Sequence, residues 1–247
     1  MSISYQLYCS RNFPPVADTL SMLAEIGYAE VEGFGSLFSD TDGLEAGLKA
    51  TGLRMTSAHM GMDMVEGDPE GTLALIRRLG IEKVFVPHLV PADRPTDAAG
   101  WEAFAARLAE AGKPYRDAGL GFGWHNHDFE LVDLGGGRTP LDVMADAGIG
   151  LELDLGWVKV AGHDPAEWIN RFGSKISAVH VKDIAPEGEA SDEDGWADVG
   201  HGVMDWAAID AALKANGITH MVVEHDNPSD HARFARRSLA AVKAFSA

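Results

Sequence analysis

Short apolar runs and longer amphipathic stretches alternate eight times along the chain, and no other feature of the sequence restricts the possible folds as strongly. The apolar runs are rich in β-branched and aromatic residues, as buried strands are, whereas the amphipathic stretches have helical spacing. The predicted strands are residues 3–9, 28–33, 54–59, 83–87, 121–125, 150–155, 176–181 and 220–224. The predicted helices begin near Val16, Thr41, Pro69, Ala98, Pro140, Pro165, Trp206 and His231.

Proline and glycine mark the predicted helix ends. Thr139 and Asp164 each precede a proline, which is typical of a first helical turn, and Gly27 and Gly148 stand where a left-handed residue ends a helix. Eight strand-and-helix units in 247 residues average about 31 residues, the size of one unit of a closed parallel barrel. No GxGxxG motif follows the first predicted strand, as a doubly wound dinucleotide-binding sheet would require. We therefore predict one α/β domain over residues 1–247, folded as a (β/α)8 TIM barrel.

The composition limits the classes of partner. The chain has 38 acidic and 20 basic residues, a formal net charge of -18, so its field repels nucleic acid and anionic lipid. We expect neither a nucleic-acid nor a membrane partner. Cys9 is the single cysteine, which excludes a disulfide within the chain, and the sequence has neither a signal-peptide pattern nor a long apolar stretch. These features predict a cytoplasmic protein.

Polar residues collect where the predicted strands end, which in a barrel of this kind is where the chemistry takes place. Alternation along residues 151–154 and 178–182 directs the apolar side chains outward and the polar ones into the barrel. The polar residues at these ends are Glu30, Glu32, His59, His88, His125, His127, Glu152, Asp154, His180, Lys182 and Glu224.

So many carboxylates at one rim would repel one another unless a positive charge lies among them. A divalent cation supplies that charge, and carboxylate oxygens with imidazole nitrogens suit Mn²⁺, Co²⁺, Mg²⁺ or Zn²⁺. We therefore predict one divalent metal ion as cofactor. A thiolate site is excluded because the chain has only one cysteine.

Four segments resemble the sugar phosphate isomerase/epimerase family, which has the xylose isomerase-like barrel. They are WHNHDFE at residues 124–130, LDLGW at 153–157, HVKD at 180–183 and GHGVMDW at 200–206. The resemblance implies one divalent metal held by Asp154, His180, Glu224 and a ligand that follows the fifth strand. For that fifth-strand ligand we favour Glu130, the nearest glutamate, with His125 as the alternative.

The resemblance also has departures that bear on the reaction. Ketose epimerases of the family carry a histidine where this chain has Trp157, and an arginine where it has the Lys182 and Asp183 pair. The chain therefore looks more like the branch that includes inosose dehydratases and keto-sugar enzymes. Their shared step removes a proton beside a carbonyl group.

The family likeness gives each candidate residue an expected role. Glu224 or Glu130 would be the base, while Lys182 would neutralise the developing oxyanion or act as an acid. The reaction would be isomerisation or epimerisation through a metal-stabilised enediolate, or alternatively dehydration on the same site. His59, His88, His125 and His127 would hydrogen-bond sugar hydroxyls, and Trp157 would pack on the carbohydrate, which need not be phosphorylated.

Other functions and partners remain as alternatives. An endonuclease IV type of nuclease shares this barrel, but it needs several zinc ions and a positive surface, which the net charge opposes. A barrel that binds sugar without catalysis is a further alternative.

Residues 185–203, acidic and non-periodic after the seventh strand, look like an active-site loop. The final helix, residues 231–245, alternates arginines with apolar residues and could pair subunits in a homo-oligomer.

Overall fold

Eight parallel strands close into a barrel in the computed structural model, which describes residues 2–246. The strands around the barrel follow the order β1-β10-β7-β6-β5-β4-β3-β2. The barrel strands are β1 (Ser2–Gln6), β2 (Glu30–Phe34), β3 (Arg54–His59), β4 (Lys83–Val86), β5 (Gly121–His125), β6 (Gly150–Asp154), β7 (Ile176–Val181) and β10 (His220–Val223). Two further short strands, β8 (Asp183–Ile184) and β9 (Trp196–Ala197), form an antiparallel ribbon after β7. The predicted TIM barrel is confirmed.

Helices cover the outside of the barrel. They are α1 (Val16–Ile26), α2 (Thr41–Thr51), α3 (Met62–Gly67), α4 (Pro69–Leu79), α5 (Ala98–Ala111), α6 (Lys113–Asp117), α7 (Pro140–Asp146), α8 (Leu155–Val160), α9 (Pro165–Phe172), α10 (Trp206–Ala215) and α11 (His231–Phe245). All eight predicted helix starts are confirmed. The sequence analysis missed α3, α6 and α8, which are each only five or six residues long. Among the described residues, no helix has both the length and the apolar character to cross a membrane.

Four predicted strands end earlier than expected, the fourth and the eighth by one residue each, at Val86 and Val223. The first stops at Gln6, because residues 7–10 turn into a 3-10 helix whose Tyr8 backbone N–H donates to the Gln6 side chain at 3.0 Å. The sixth stops at Asp154, whose carboxylate accepts from the backbone N–H of Trp157 at 2.9 Å and so caps α8. Gln6 and Asp154 are thus the last residues of their strands. Each side chain caps the backbone that follows it, and this cap ends the extended conformation predicted for residues 7–9 and 155.

The barrel has an apolar outer layer and a polar interior. Outward residues such as Tyr5 pack against the helices, with its ring centroid 5.4 Å from Tyr28 and 5.9 Å from Phe234. The interior narrows where β5 and β6 meet, because a Cβ on Gly123 would lie 2.5 Å from the carbonyl oxygen of Gly150. Most inward positions carry very small or polar side chains, with Phe85 and Val222 as apolar exceptions, and the polar ones extend to the open end of the barrel.

Asp183 organises the long segment that follows β7. Its buried carboxylate accepts hydrogen bonds from four backbone N–H groups and one indole. The donors are the backbone of Ile184, Gly200, Gly202 and Met204 and the Nε1 atom of Trp206. The HVKD and GHGVMDW segments are thus joined through one carboxylate. This bonding fixes the path of residues 183–206 across the top of the barrel.

The barrel interior makes stability sensitive to acid through His220. This side chain is buried beside Ser2, and burial together with Lys83 lowers the pKa of His220 from an ordinary value near 6.5 to about 4. Between pH 6.5 and about pH 4, His220 is neutral in the folded protein but protonated in the unfolded chain. Acidification through this range therefore favours unfolding.

We expect His220→Gln to remove this contribution. Between pH 7 and pH 4.5, the free energy of unfolding should fall less for this variant than for the wild type. The two decreases should differ by up to about 2–3 kcal/mol. Urea denaturation over that pH series measures the difference, with the exposed His201→Gln as control. Equal pH slopes for wild type and His220→Gln would contradict the prediction.

Candidate functional site

A cavity of about 430 Å³ opens at the carboxyl ends of the barrel strands. This volume lies within the range of small-molecule sites. One side of the wall is aromatic or apolar, and the other side carries imidazoles and carboxylates. The lining residues are Tyr8, Phe34, Gly35, His59, Gly61, Pro87, His88, His125, His127, Glu224 and Asp226.

Four buried side chains converge at the floor of this cavity. Asp154, His180, Glu224 and His125 each offer one donor atom, and these atoms lie within 4.8 Å of one another. His180 Nδ1 is 2.7 Å from Glu224 Oε2, and Asp154 Oδ2 is 3.9 Å from both His180 Nδ1 and His125 Nε2. We call these four residues the floor cluster.

The floor cluster fits a divalent cation. Asp154 Oδ2 is buried without a hydrogen-bond partner, an arrangement that costs free energy unless a cation or water contacts the oxygen. Burial and the Glu224 charge raise the pKa of Asp154 to about 7, although Lys182 opposes the shift. Two carboxylates and two imidazoles form a donor set that suits Mn²⁺, Co²⁺, Mg²⁺ or Zn²⁺.

Glu130 does not join the floor cluster. Its Oε1 atom accepts from the indole N–H of Trp124 and its Oε2 atom from the backbone N–H of His127, each at 2.8 Å. Burial raises the pKa of Glu130 to about 8. Both oxygens thus hold the loop after β5. Of the two fifth-strand residues left open by the sequence, the structure brings His125 to the cluster.

Lys182 lies behind the floor cluster and is fully buried. Its Nζ atom is 2.8 Å from Asp226 Oδ1, 3.3 Å from Glu224 Oε2 and 3.6 Å from Asp154 Oδ2. Burial lowers the pKa of Lys182, but these carboxylates, Asp226 above all, outweigh burial and raise it. Lys182 is therefore a permanent cation among three carboxylates rather than a group on the cavity wall.

Two tryptophans enclose Lys182. The Nζ atom lies 4.3 Å from the ring centroid of Trp196 and 5.1 Å from that of Trp157, distances typical of cation–π contacts. Among the described residues that line the cavity, neither tryptophan occurs. Trp157, predicted to pack on the substrate, is instead part of this enclosure. Residues 185–203 were predicted to form an active-site loop. Trp196 of this segment contacts Lys182, but none of its residues lines the cavity.

The four predicted substrate histidines all line the cavity. His88 and His127 face each other with ring centroids 5.1 Å apart, while His59 and His125 lie deeper. Burial lowers the pKa of His127 well below its ordinary value, and burial also lowers the pKa of His88. Each neutral ring offers one donor and one acceptor, the combination that a hydroxyl group requires.

A second polar layer lies beneath the floor cluster. Glu152 Oε2 is 2.6 Å from His59 Nε2 and 3.2 Å from His180 Nε2. Glu32 Oε1 is 2.8 Å from His180 Nε2 and accepts from Gln6 Nε2 at 2.8 Å. We call Gln6, Glu32, His59 and Glu152 the deep layer. These four side chains and that of His180 are all buried. The two carboxylates of the deep layer face histidines rather than solvent.

Some residues of the site were missed in the sequence. Asp226 stands two residues beyond Glu224, and Gln6 ends β1 on the same side as Ser4, so alternation was a usable signal for both. Trp196 had no such signal, because its contact with Lys182 depends on the path of the loop that Asp183 holds.

Comparisons with known proteins identify the family and agree with the barrel fold. The family model described as xylose isomerase-like TIM barrel matches residues 20–245. An inosose dehydratase from Geobacillus kaustophilus (strain HTA426) is 26% identical over 189 residues, which cover 67% of this chain and 61% of that protein. One from Lacticaseibacillus casei is 26% identical over 162 residues, covering 57% and 54%. The match thus spans no more than about three fifths of these relatives.

Solved structures share the fold. A sugar phosphate isomerase/epimerase from Parabacteroides distasonis ATCC 8503 has a TM-score of 0.81 at 19% identity, covering 98% of this chain and 93% of that one. The IolI protein, in a structure with a zinc atom, has a TM-score of 0.77 at 16% identity, covering 100% and 98%. At these identities the likeness establishes the architecture only. From the family match over residues 20–245, the chain belongs to the xylose isomerase-like TIM barrel family.

Proposed function

We propose that this chain is a divalent-metal-dependent enzyme that removes a proton beside the carbonyl group of a carbohydrate ketone or aldehyde. The observation that carries the proposal is the convergence of Asp154, His180, Glu224 and His125 at the floor of the cavity. The reaction would be completed as an isomerisation or epimerisation. The zinc atom bound in the structure of the similar IolI protein supports a metal-binding role for a barrel of this kind.

The floor cluster would hold the ion, and the cavity wall would hold the substrate. When bound, the ion would act as a Lewis acid that polarises the carbonyl and acidifies the neighbouring C–H bond. Glu224 lines the cavity, and its Oε2 atom contacts His180 and Lys182, which leaves Oε1 to take the proton. We assign the base to Glu224 rather than Glu130, since both Glu130 oxygens are engaged in the loop after β5.

The remaining wall residues would position the substrate. His88 and His127 would donate to and accept from its hydroxyl groups, with His59 and His125 nearer the ion. Tyr8 and Phe34 meet edge to face, with ring centroids 5.3 Å apart, and form an apolar surface on which the C–H face of a sugar ring can pack. Lys182 would balance the carboxylates around the ion without touching the substrate.

Dehydration is the second candidate, and the curated inosose dehydratases favour it. After Glu224 takes the proton, the electron pair of the broken C–H bond forms a C=C bond and expels a β-hydroxyl group. The carboxylic acid formed on Glu224 returns its proton to that hydroxyl, which leaves as water, and the neutral His127 can hydrogen-bond the leaving group. The two candidates share every residue up to the fate of the intermediate.

Removing one ligand tests the shared step. We expect wild-type protein to bind one divalent ion per chain and to catalyse deuterium exchange from solvent into one carbon of a keto-sugar or inosose. Asp154→Asn should lose the ion and at least about 100-fold of the exchange rate, because a ligand is lost. Metal analysis and mass spectrometry measure both effects, and loss of one water from the product identifies dehydration.

The control is Asp210→Asn, which changes a buried carboxylate on α10, outside the barrel. It should retain both the ion and the exchange. If the wild type binds no divalent ion, or if Asp154→Asn exchanges deuterium as fast as the wild type, the proposed function is wrong.

Lys182→Met tests the charge balance around the floor cluster. It leaves three carboxylates facing one another without a cation, so the free energy of unfolding should fall by about 3–5 kcal/mol. Added Mn²⁺ should restore part of this loss through preferential binding to the folded state. Urea denaturation with and without metal measures both, and Lys159→Met, on the exposed face of α8, should change stability by less than about 0.5 kcal/mol. A loss below about 1 kcal/mol for Lys182→Met, as for a surface pair, would contradict this role.

The cavity wall predicts a substrate without phosphate. Among the described residues that line the cavity, none is lysine or arginine, whereas Glu224 and Asp226 are acidic. We expect a neutral keto-sugar to bind at least about tenfold more tightly than its phosphate ester, because the ester brings like charges together. Calorimetric titration of both ligands measures the ratio. Asp226→Asn should narrow it, and tighter binding of the ester by the wild type would refute the prediction.

A further inference from the structure

One oxygen of Glu152 lies against three imidazole rings. Glu152 Oε2 is 2.6 Å from His59 Nε2, 3.2 Å from His125 Nδ1 and 3.2 Å from His180 Nε2. Glu152 is fully buried and stands two residues before Asp154 on β6, so both carboxylates point into the barrel. The sequence analysis noted Glu152 at the strand end but gave it no role.

Glu32 contacts two of these three rings, those of His59 and His180, from the opposite side of the barrel. Its Oε1 atom is 2.8 Å from His180 Nε2 and 3.3 Å from His59 Nε2. Gln6 donates to that oxygen at 2.8 Å, and this contact fixes the Glu32 side chain. His180 Nε2 therefore lies between two carboxylates, and both belong to the deep layer.

The two nitrogens of each floor-cluster histidine thus have different surroundings. His125 turns Nδ1 to Glu152 and Nε2 to Asp154, while His180 turns Nε2 to Glu32 and Glu152 and Nδ1 to Asp154 and Glu224. A ring nitrogen that donates its N–H to a carboxylate cannot offer a lone pair to a metal. The other ring nitrogen is then the one that can coordinate. In this structure His180 Nδ1 is 2.7 Å from Glu224 Oε2, a hydrogen bond that an ion would replace. His125 Nδ1 lies 3.2 Å from Glu152 Oε2 without an aligned hydrogen bond.

We propose that Glu152, assisted by Glu32, is a positioning residue that holds His125 and His180 in the ring orientation and tautomer that present Nε2 and Nδ1, respectively, to the metal. The inference rests on the proposed function, because it concerns the same ion. Carboxylates that accept the distal N–H of a ligand histidine also make the ligating nitrogen a better donor. In this chain a single carboxylate oxygen serves two such histidines from one strand position.

The deep layer is better explained as a hydrogen-bonded support than as a second metal site. His59 Nε2 and Glu152 Oε2, 2.6 Å apart, and Gln6 Nε2 and Glu32 Oε1, 2.8 Å apart, are at hydrogen-bond distances. A second ion that shared His180 with the floor cluster would require that ring to coordinate through both nitrogens and so to lose both protons. Protons shared between histidines and glutamates satisfy the same contacts without that cost.

Glu152→Gln is the decisive variant. It keeps the volume of the side chain and removes its charge, so we expect Mn²⁺ or Zn²⁺ affinity to fall by about 10- to 100-fold. Glu32→Gln should weaken affinity less, because Glu152 still contacts both rings. Asp210→Asn is the matched control, and its metal affinity should equal that of the wild type. Titration against a competing chelator measures the affinities, and metal analysis counts the ions per chain.

The tautomer of His125 provides a readout that does not depend on the metal. In metal-free protein, ¹⁵N spectra of the histidine rings should show His125 protonated on Nδ1, and Glu152→Gln should shift it toward the other tautomer. His125→Gln assigns the signal. If Glu152→Gln leaves both the metal affinity and the His125 tautomer unchanged, or if wild-type protein holds two ions per chain, the inference is overturned.

Two further measurements distinguish a variant that fails to fold from a failure of the proposed function. If Glu152→Gln does not fold, Glu152→Asp keeps the charge but withdraws it by one methylene, and a weaker metal affinity in that variant supports the inference as well. If the wild type binds no divalent ion, the proposed function fails, and the His125 tautomer in metal-free protein still decides whether Glu152 positions the ring.

Discussion

Negative charge buried at the mouth of the barrel is the constraint on which the rest of the site depends. Asp154, Glu224 and Asp226 surround one cation, Lys182, which leaves an excess that a divalent ion would match. Glu32 and Glu152 face imidazoles instead, and these can carry protons. The two layers thus balance their charge by different means. The upper layer has a fixed cation and would take up the proposed ion, whereas the deep layer can share protons with its imidazoles.

The parallel register creates this arrangement at little cost to the fold. Partners in register on neighbouring parallel strands point to the same side, so Asp154 and His180 meet because β6 and β7 pair, and His180 and Val222 because β7 and β10 pair. The loop after β7 completes the site from outside. Asp183 fixes that loop, and Trp196 then covers Lys182 and keeps water from the ion pairs.

The helix starts and the barrel could be predicted because their signals are local. Capping residues, prolines and glycines act within one helical turn, and strand alternation identified the inward side of Asp154 and His180. The choice between Glu130 and His125 could not be made, since it depends on how the loop after β5 bends to bond Trp124. The enclosure of Lys182 by Trp157 and Trp196 depends on three separate segments, and no spacing in the sequence reports such a contact.

The floor and the wall of the cavity therefore differ in burial and in how strongly their residues depend on one another. The floor cluster is buried and its charged groups lie within a few ångströms of one another, so a change in one residue disturbs the others through a shared field. The wall is partly exposed, and its members, such as Tyr8, His88 and Asp226, each contact the cavity from a different loop. Substitutions on the wall can alter substrate choice while the floor is preserved. Under the proposed function, the floor would set the reaction class and the wall would set the choice of sugar.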